Sequence, residues 1–509
     1  MLEFSILKDL VTTINRNKIK EIEVLNDIGD ESKRIVRLYT GLLSGRYATD
    51  EAAAQDLFGQ NEDYPSYRRL RRKLFDLLVN TAFFVDTQQP KFTDTARAQF
   101  HCYKGFSAAN LLIMQGAVST AVYLLRQVLE YSIKYEFVSL TTEILSTLRK
   151  VYVVNQMDTK ELKRLVKLSA VYEEKRRLEY EASEIHEALM EGFMTGRVSS
   201  RYIDIAVKYD FERFLAVVEK VNTAKFYFIT YYIGKIYYLS FHNMSKALEL
   251  CKFVIPLLSQ RPTTTKGQIL QFALNALSCY THLNIFNKPE VSSTINLCKD
   301  SVTSGTINWI KVNETIVHHY IYAERYDDAL QLYVQTINHE RFAVSVGNMS
   351  EIWKMYAGYF YLLGQLGVMH PSVVKDAVGE VNLDTFEYDF KNLNTVKKGM
   401  NIPILMLPIY FKSMDGEMTA HGRSKESLKM YMYRHLKKHK NIRSAAMISL
   451  LLALDTLPFE PAGSKKLIKK HLKVFEDMPI ELSEQSSAVE IVPYERLWHL
   501  ILAHRRIRL

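Results

Sequence analysis

The segment Tyr326-Asp-Asp-Ala329-Leu-Gln-Leu-Tyr333 constrains the fold more than any other stretch of this sequence. An aromatic residue, two polar residues, a small Ala and a second aromatic one turn later describe a helix docked closely on a neighbouring helix. Ala329 is where two backbones approach, and Tyr333 fills the space on the same face. The same turn-then-small-residue design recurs at Gln115-Gly-Ala-Val-Ser-Thr-Ala121 and at Asn243-Met-Ser-Lys-Ala247. Such hairpins of helices need little turn chemistry. The chain's 20 Gly and 12 Pro in 509 residues, about half the usual share, fit that economy and exclude a β-rich fold.

The helical pattern extends to both sides. Residues 1–90 are expected to form a separate helical unit. Ile35, Leu38, Leu42 and Leu43 have helical spacing, and Gly45 closes that helix. Thr49 then caps a short helix whose first turn carries Asp50 and Glu51. After the turn at Gly59 to Pro65, a third helix over 66–84 carries Leu70, Leu74, Leu77 and Leu78 as its apolar stripe. Gln88-Gln-Pro90 is expected to be a linker. Residues 158–190 are the longest unbroken helical stretch. Leu178, Ala182, Ile185 and Leu189 form a heptad seam there, suited either to a bridging helix or to a coiled-coil contact with another subunit. Helical grammar lapses near residues 381–393. Beyond it, residues 381–509 are expected to be a basic helical unit with apolar helices near 401–412, 425–439 and 443–457, followed by a helix rich in lysine at 465, 466, 469, 470 and 473.

The middle region, residues 91–380, resembles the tetratricopeptide-repeat family. Trp353, Tyr356, Ala357 and Phe360 match the first-helix signature of a Trp, a Leu or aromatic, a small residue and an aromatic. Ala329 and Tyr333 match the small residue and aromatic of the second helix. Thr294 to Ala329 spans 35 residues and Ala247 to Thr294 spans 47, against a family period of about 34, so the array is irregular. The resemblance implies an all-α fold in which helical hairpins form an α-solenoid, flanked by helical N- and C-terminal units. It also implies a groove that binds peptides or partner proteins. Tyr320, Tyr326, Trp353, Tyr356 and Tyr359 belong to the best-defined hairpins and are the expected partner-binding residues, since Tyr and Trp bring large area at low rotamer cost.

With 66 Lys and Arg against 56 Asp and Glu, the net charge of +10 permits acidic partners. Two basic runs offer an alternative reading as a nucleic-acid-associated regulator, with the repeats as sensor. One is the 66–84 helix with Arg68, Arg69, Arg71 and Arg72, which resembles the second helix of a helix-turn-helix reader. The other is 434–443, with Lys437, Lys438, Lys440 and Arg443 crowding a helix C-terminus. Charged faces of amphipathic helices are the plain explanation of both. His435 and His439 lie one turn apart, but lysine flanks disfavour a dication between them. The chain has no GxxxxGK, GxGxxG or GxSxG motif, and its carboxylates are dispersed, so no reaction is expected and no cofactor is implied. Cys102, Cys251, Cys279 and Cys298, with no CxxC pair, read as buried thiols of a reducing compartment. Charges early in the N-terminal stretch argue against a signal peptide, and the most apolar run, 445–454, is half a bilayer span. A cytoplasmic, non-enzymatic protein-binding scaffold is therefore the leading expectation.

Overall fold

The computed structural model describes residues 4, 7, 11, 30–89, 92–195, 203–346, 350–379, 401–415, 442–457, 461–483 and 489–507. Among them the chain is all-helical and contains no strand. It divides into two compact units, Met1–Arg177 and Leu178–Leu509. The expected lapse at 381–393 and the expected helix at 425–439 lie outside the described residues.

Unit 1 begins with three short helices, α1 (Asp30–Leu43), α2 (Asp50–Phe58) and α3 (Pro65–Ala82). Their boundaries follow local chemistry. The Thr49 hydroxyl accepts the Ala52 N–H at 3.2 Å, Asp50 and Glu51 sit at the positive end of the helix dipole, and Gly59 ends α2 in the left-handed region at φ 66°. Leu38, Leu42, Leu57, Leu70, Leu74 and Leu78 close into one core, with Leu77 half-buried at its edge. Gly41 is obligatory there: a Cβ at that position would lie 2.1 Å from the Tyr47 ring. Carboxylates of α2 strap the unit together. Asp50 accepts from Tyr67 at 2.5 Å and from Arg71, while Asp56 accepts from Tyr47 at 2.5 Å and Arg46 at 2.7 Å.

A second core of unit 1 lies among α4 (Asp94–Met114), α5 (Val118–Lys134), α6 (Val138–Val154) and the first part of α7 (Thr159–Thr195). Gly105 lets α4 press against Val128 of α5, where any Cβ would clash. The connections are three or four residues long and share one device. A residue in the left-handed region follows the helix, and the next N–H bonds back to a carbonyl five residues earlier, as in a Schellman cap. It occurs at Gly116, Glu136 and Gln156 here, and at His242, Asn284, Glu324 and Gly367 in unit 2.

In unit 2, a π-helical turn (Ile203–Val207) leads to α8 (Lys208–Leu215), α9 (Val218–Val221), α10 (Ala224–Ser240), α11 (Met244–Ser259), α12 (Lys266–His282), α13 (Pro289–Asp300), α14 (Ile307–Tyr322) and α15 (Tyr326–Ile337). Then come α16 (Phe342–Ser345), α17 (Ser350–Gln365), α18 (Pro371–Val378), α19 (Asn401–Asp415), α20 (Ile442–Thr456), α21 (Pro461–Asp477) and α22 (Tyr494–His504), with a short 3-10 turn at Ile480–Leu482. From α10 to α15, each helix packs on the next in sequence. The heptad seam of α7 is spent inside this unit: Leu178, Ala182 and Leu189 are buried in its first core. A coiled-coil contact with another subunit is thereby left without its seam. The same core encloses Lys235 of α10, which is 4% exposed.

Candidate functional site

The residues expected to grip a partner turn out to hold the molecule together. Tyr326, Trp353, Tyr356 and Tyr359 are all buried in the second core of unit 2. The Tyr333 ring lies 5.6 Å from Trp353 and 5.3 Å from Phe360, so the signature positions pack α15 on α17. Tyr359 donates to the Pro403 carbonyl of α19 at 2.9 Å. Of the candidates divided between core and groove, these four fall to the core, for a physical reason: a small-residue contact draws its aromatic neighbours inward with it. Tyr320 alone is half-exposed, and its ring carries the Arg325 guanidinium at 4.4 Å. Next to it in sequence, His319 is an interface histidine, bonded to Thr281 of α12 at 2.9 Å and pushed down to about 4 by burial.

Two of the basic candidates, Arg71 and Arg443, are corrected in the same way. Arg71 is buried and ion-paired to Asp50, a strut between α2 and α3. Arg443 is fully buried. Its Nε and Nη2 donate to both Glu490 oxygens at 2.7 and 3.0 Å, Nη2 also meets Glu495 at 2.8 Å, and Nη1 donates to the Met478 carbonyl at 2.9 Å. Burial pushes the Glu490 carboxyl up against the opposing pull of Arg443. Neither arginine reaches a surface anion. On the exposed side of α3, Arg68 pairs with Asp63 and Arg72 with Asp76, while Arg69 makes no ion pair among the described residues. Lys437, Lys438, Lys440, His435 and His439 lie outside the described residues. Among the described residues no three His, Cys, Asp or Glu side chains gather as a metal site requires, and no helix is long and apolar enough to cross a membrane.

Unit 1 carries a cleft of about 460 Å³ between residues 85–88 and the α4–α5 hairpin. Arg97 and Lys104 on α4 hold its far wall in place. Arg97 Nε donates to the Thr87 carbonyl at 2.9 Å and its Nη1 to Asp94 at 2.8 Å. Lys104 Nζ donates to the Phe83 carbonyl at 2.8 Å and lies over the rings of Phe84 and Phe100. Along the opposite side runs a ladder of rings. His101 and Tyr131 are 5.0 Å apart, Tyr131 and Tyr135 are stacked at 6.5 Å, and Tyr135 stacks on Phe137 at 6.0 Å. Tyr131 is 46% exposed, and Asp86, Gln88 and Asp94 offer carboxylate and amide groups to the opening. Ring faces flanked by donors and acceptors of both signs suit recognition of a mixed polar and apolar segment.

Neither a repeat signature nor a basic run marks these residues in the sequence. A signal was available: Tyr131 and Tyr135, at the end of α5 and on its C-cap, are an aromatic pair at i, i+4 beside the buried stripe of Leu125, Val128 and Leu129. No protein-family model, curated protein or solved structure matches this chain.

Proposed function

We propose that this chain is a non-enzymatic protein-binding scaffold, and that a peptide segment of a partner protein docks in the unit 1 cleft. The ladder from His101 to Phe137 carries this reading. His101 and Tyr131 are open to solvent and Tyr135 is half-buried behind them, and exposed rings beside a pre-formed polar wall are the composition of an interface centre, not of an ordinary wet surface. The hydrogen bonds of Arg97 and Lys104 to backbone carbonyls pre-organise that wall, which lowers the entropy cost of binding. The helical hairpins of the chain we take as a divergent tetratricopeptide-like array forming an α-solenoid, a reading that the packing of Ala329, Tyr333, Trp353 and Phe360 in unit 2 supports. The four buried free cysteines, with thiols raised by burial to about 11 for Cys102 and about 12 for the others, support a reducing, cytoplasmic setting.

Panning a phage-displayed peptide library on the purified full chain tests the reading. Enriched peptides should bind the chain and lose at least about tenfold in affinity on Tyr131→Ala, a substitution at an exposed ring that leaves the fold intact. Peptides that bind Tyr131→Ala and the wild type equally, or a library that yields none, would remove the cleft from consideration.

A further inference from the structure

The exposed face of α21 carries a charge pattern that the fold does not use. Lys465, Lys466, Lys469, Lys470 and Lys473 are all exposed, and none makes an ion pair among the described residues. At 100° per residue they fall within an arc of roughly 140°, in a band about 12 Å long. The opposite side of the helix is committed to the core, where Ser464, Ile468 and Phe475 are buried and Ser464 meets Thr456 at 3.0 Å. The row is therefore held rigidly outward.

Helix energetics argue against this arrangement. Lys465 and Lys469, Lys466 and Lys470, and Lys469 and Lys473 are like-charge pairs at i, i+4, each of which weakens a helix. Glu476 and Asp477 stand in the last turn, where the macrodipole disfavours anions, and no acidic residue occupies the first turn. A helix arranged for stability alone would mix or reverse these charges. Patterns that break local rules without a structural return mark functional surfaces. The contrast with the rest of the chain is informative. The arginines of the basic runs among the described residues are largely neutralised by carboxylates of this chain, at Arg68, Arg71, Arg72 and Arg443, whereas this lysine row is not.

We propose that the α21 lysine row binds the phosphate backbone of duplex nucleic acid. Lysine-only composition disfavours a protein partner, since interface centres are depleted in Lys and rely on aromatic or Arg anchors, and the only large apolar side chain exposed on α21 is Leu467. A bilayer is disfavoured because the apolar side of α21 is already buried and unavailable for insertion. Single strands are held by stacking on aromatic side chains, and the one aromatic ring of α21 other than the half-buried His471, Phe475, is buried. What the row offers is a cluster of point charges on one rigid face, which suits a duplex's phosphates and reads no sequence. This surface belongs to unit 2 and stands apart from the peptide-binding reading of the unit 1 cleft.

Fluorescence anisotropy of the full chain with a labelled duplex of arbitrary sequence, between 50 and 200 mM salt, tests it. Five phosphate contacts give a log–log slope near about −4.5, and so a loss of about 500-fold in affinity across that range. Changing all five residues, Lys465→Gln, Lys466→Gln, Lys469→Gln, Lys470→Gln and Lys473→Gln, should abolish binding while the far-ultraviolet circular dichroism spectrum stays the same. The corresponding five changes to Arg should preserve binding. The single substitution Lys469→Gln should make the slope shallower by about 0.9, which keeps the test open if the fivefold Gln variant unfolds. Three results overturn the proposal: no salt-dependent duplex binding by the wild type, binding that is unaffected in the Gln variants, or binding of phosphatidylserine vesicles or polyglutamate in preference to the duplex.

Discussion

Replacing Lys235 with Met should stabilise this protein at neutral pH, although Lys235 lies inside a well-packed core. The amine is 4% exposed and makes no ion pair among the described residues. Burial pushes it down from 10.5 to about 8. At pH 7 the side chain is protonated in both folded and unfolded states, and the depressed folded value corresponds to a penalty of about 3 kcal/mol. One favourable term opposes it. The ammonium sits 3.7 Å from the Tyr232 ring centroid and 5.4 Å from that of Phe272, and a desolvated cation–π contact contributes about 2 kcal/mol. Desolvation wins, so Lys235→Met, which keeps the length of the stem, should stabilise by about 1–3 kcal/mol. The pH dependence identifies the cause. A lysine whose folded pKa is depressed destabilises fully below that pKa. As pH rises through 8 toward 10.5, the unfolded chain holds the proton that the folded chain has lost, so the wild type gains stability and the advantage of Met shrinks. About 2 of the 3 kcal/mol should be gone by pH 9.5. Urea unfolding of both proteins followed by circular dichroism at pH 7, 8.5 and 9.5 measures this. A Met variant less stable than the wild type at pH 7, or an advantage that widens with pH, would refute the reasoning.

Three other perturbations follow from the packing. Arg443→Met leaves Glu490 buried without its partner and should cost about 3–5 kcal/mol, whereas adding Glu490→Gln should restore most of it; a double-mutant cycle near zero would mean that the pair is not coupled. Gln156, exposed and held at φ 51° in a helix-capping turn, should accept Gly with a gain of about 1 kcal/mol and lose stability on Gln156→Val, as thermal melts would report. His282, whose ring nitrogens have no partner among the described residues, is pushed down to about 4, first by burial and then by His242 and Arg443. Its contribution is complete above 6.5 and lost as pH falls toward 4, about 3 kcal/mol in all, so His282→Phe should flatten the acid limb of a stability–pH curve; an unchanged limb would place the acid sensitivity elsewhere.

How far the sequence carried depends on the range of the interaction concerned. Helices were legible because their causes are local. Thr49, Asp50, Glu51, Gly45 and Gly59 announce helix ends by chemistry acting within a few residues, and the spacing of Leu70, Leu74 and Leu78 fixes a buried face regardless of what covers it. Ala329 and Tyr333 disclosed a helix contact for the same reason. The turns at Glu136, Gln156 and Glu324 stayed hidden because hydrogen bonds of the cap, not a glycine, sustain their left-handed residues. Which charges face solvent could be decided only by the tertiary structure. Arg71 finds Asp50 across 21 residues and Arg443 finds Glu490 across 47, and nothing in a basic run reveals a carboxylate that far away. Aromatic exposure is set the same way: Trp353 and Tyr356 are buried by the helices that pack around them, while Tyr131 stays open beside the cleft. Periodicity tells a helix which side is apolar, but the partners that neutralise or cover the rest come from parts of the chain brought near only by folding.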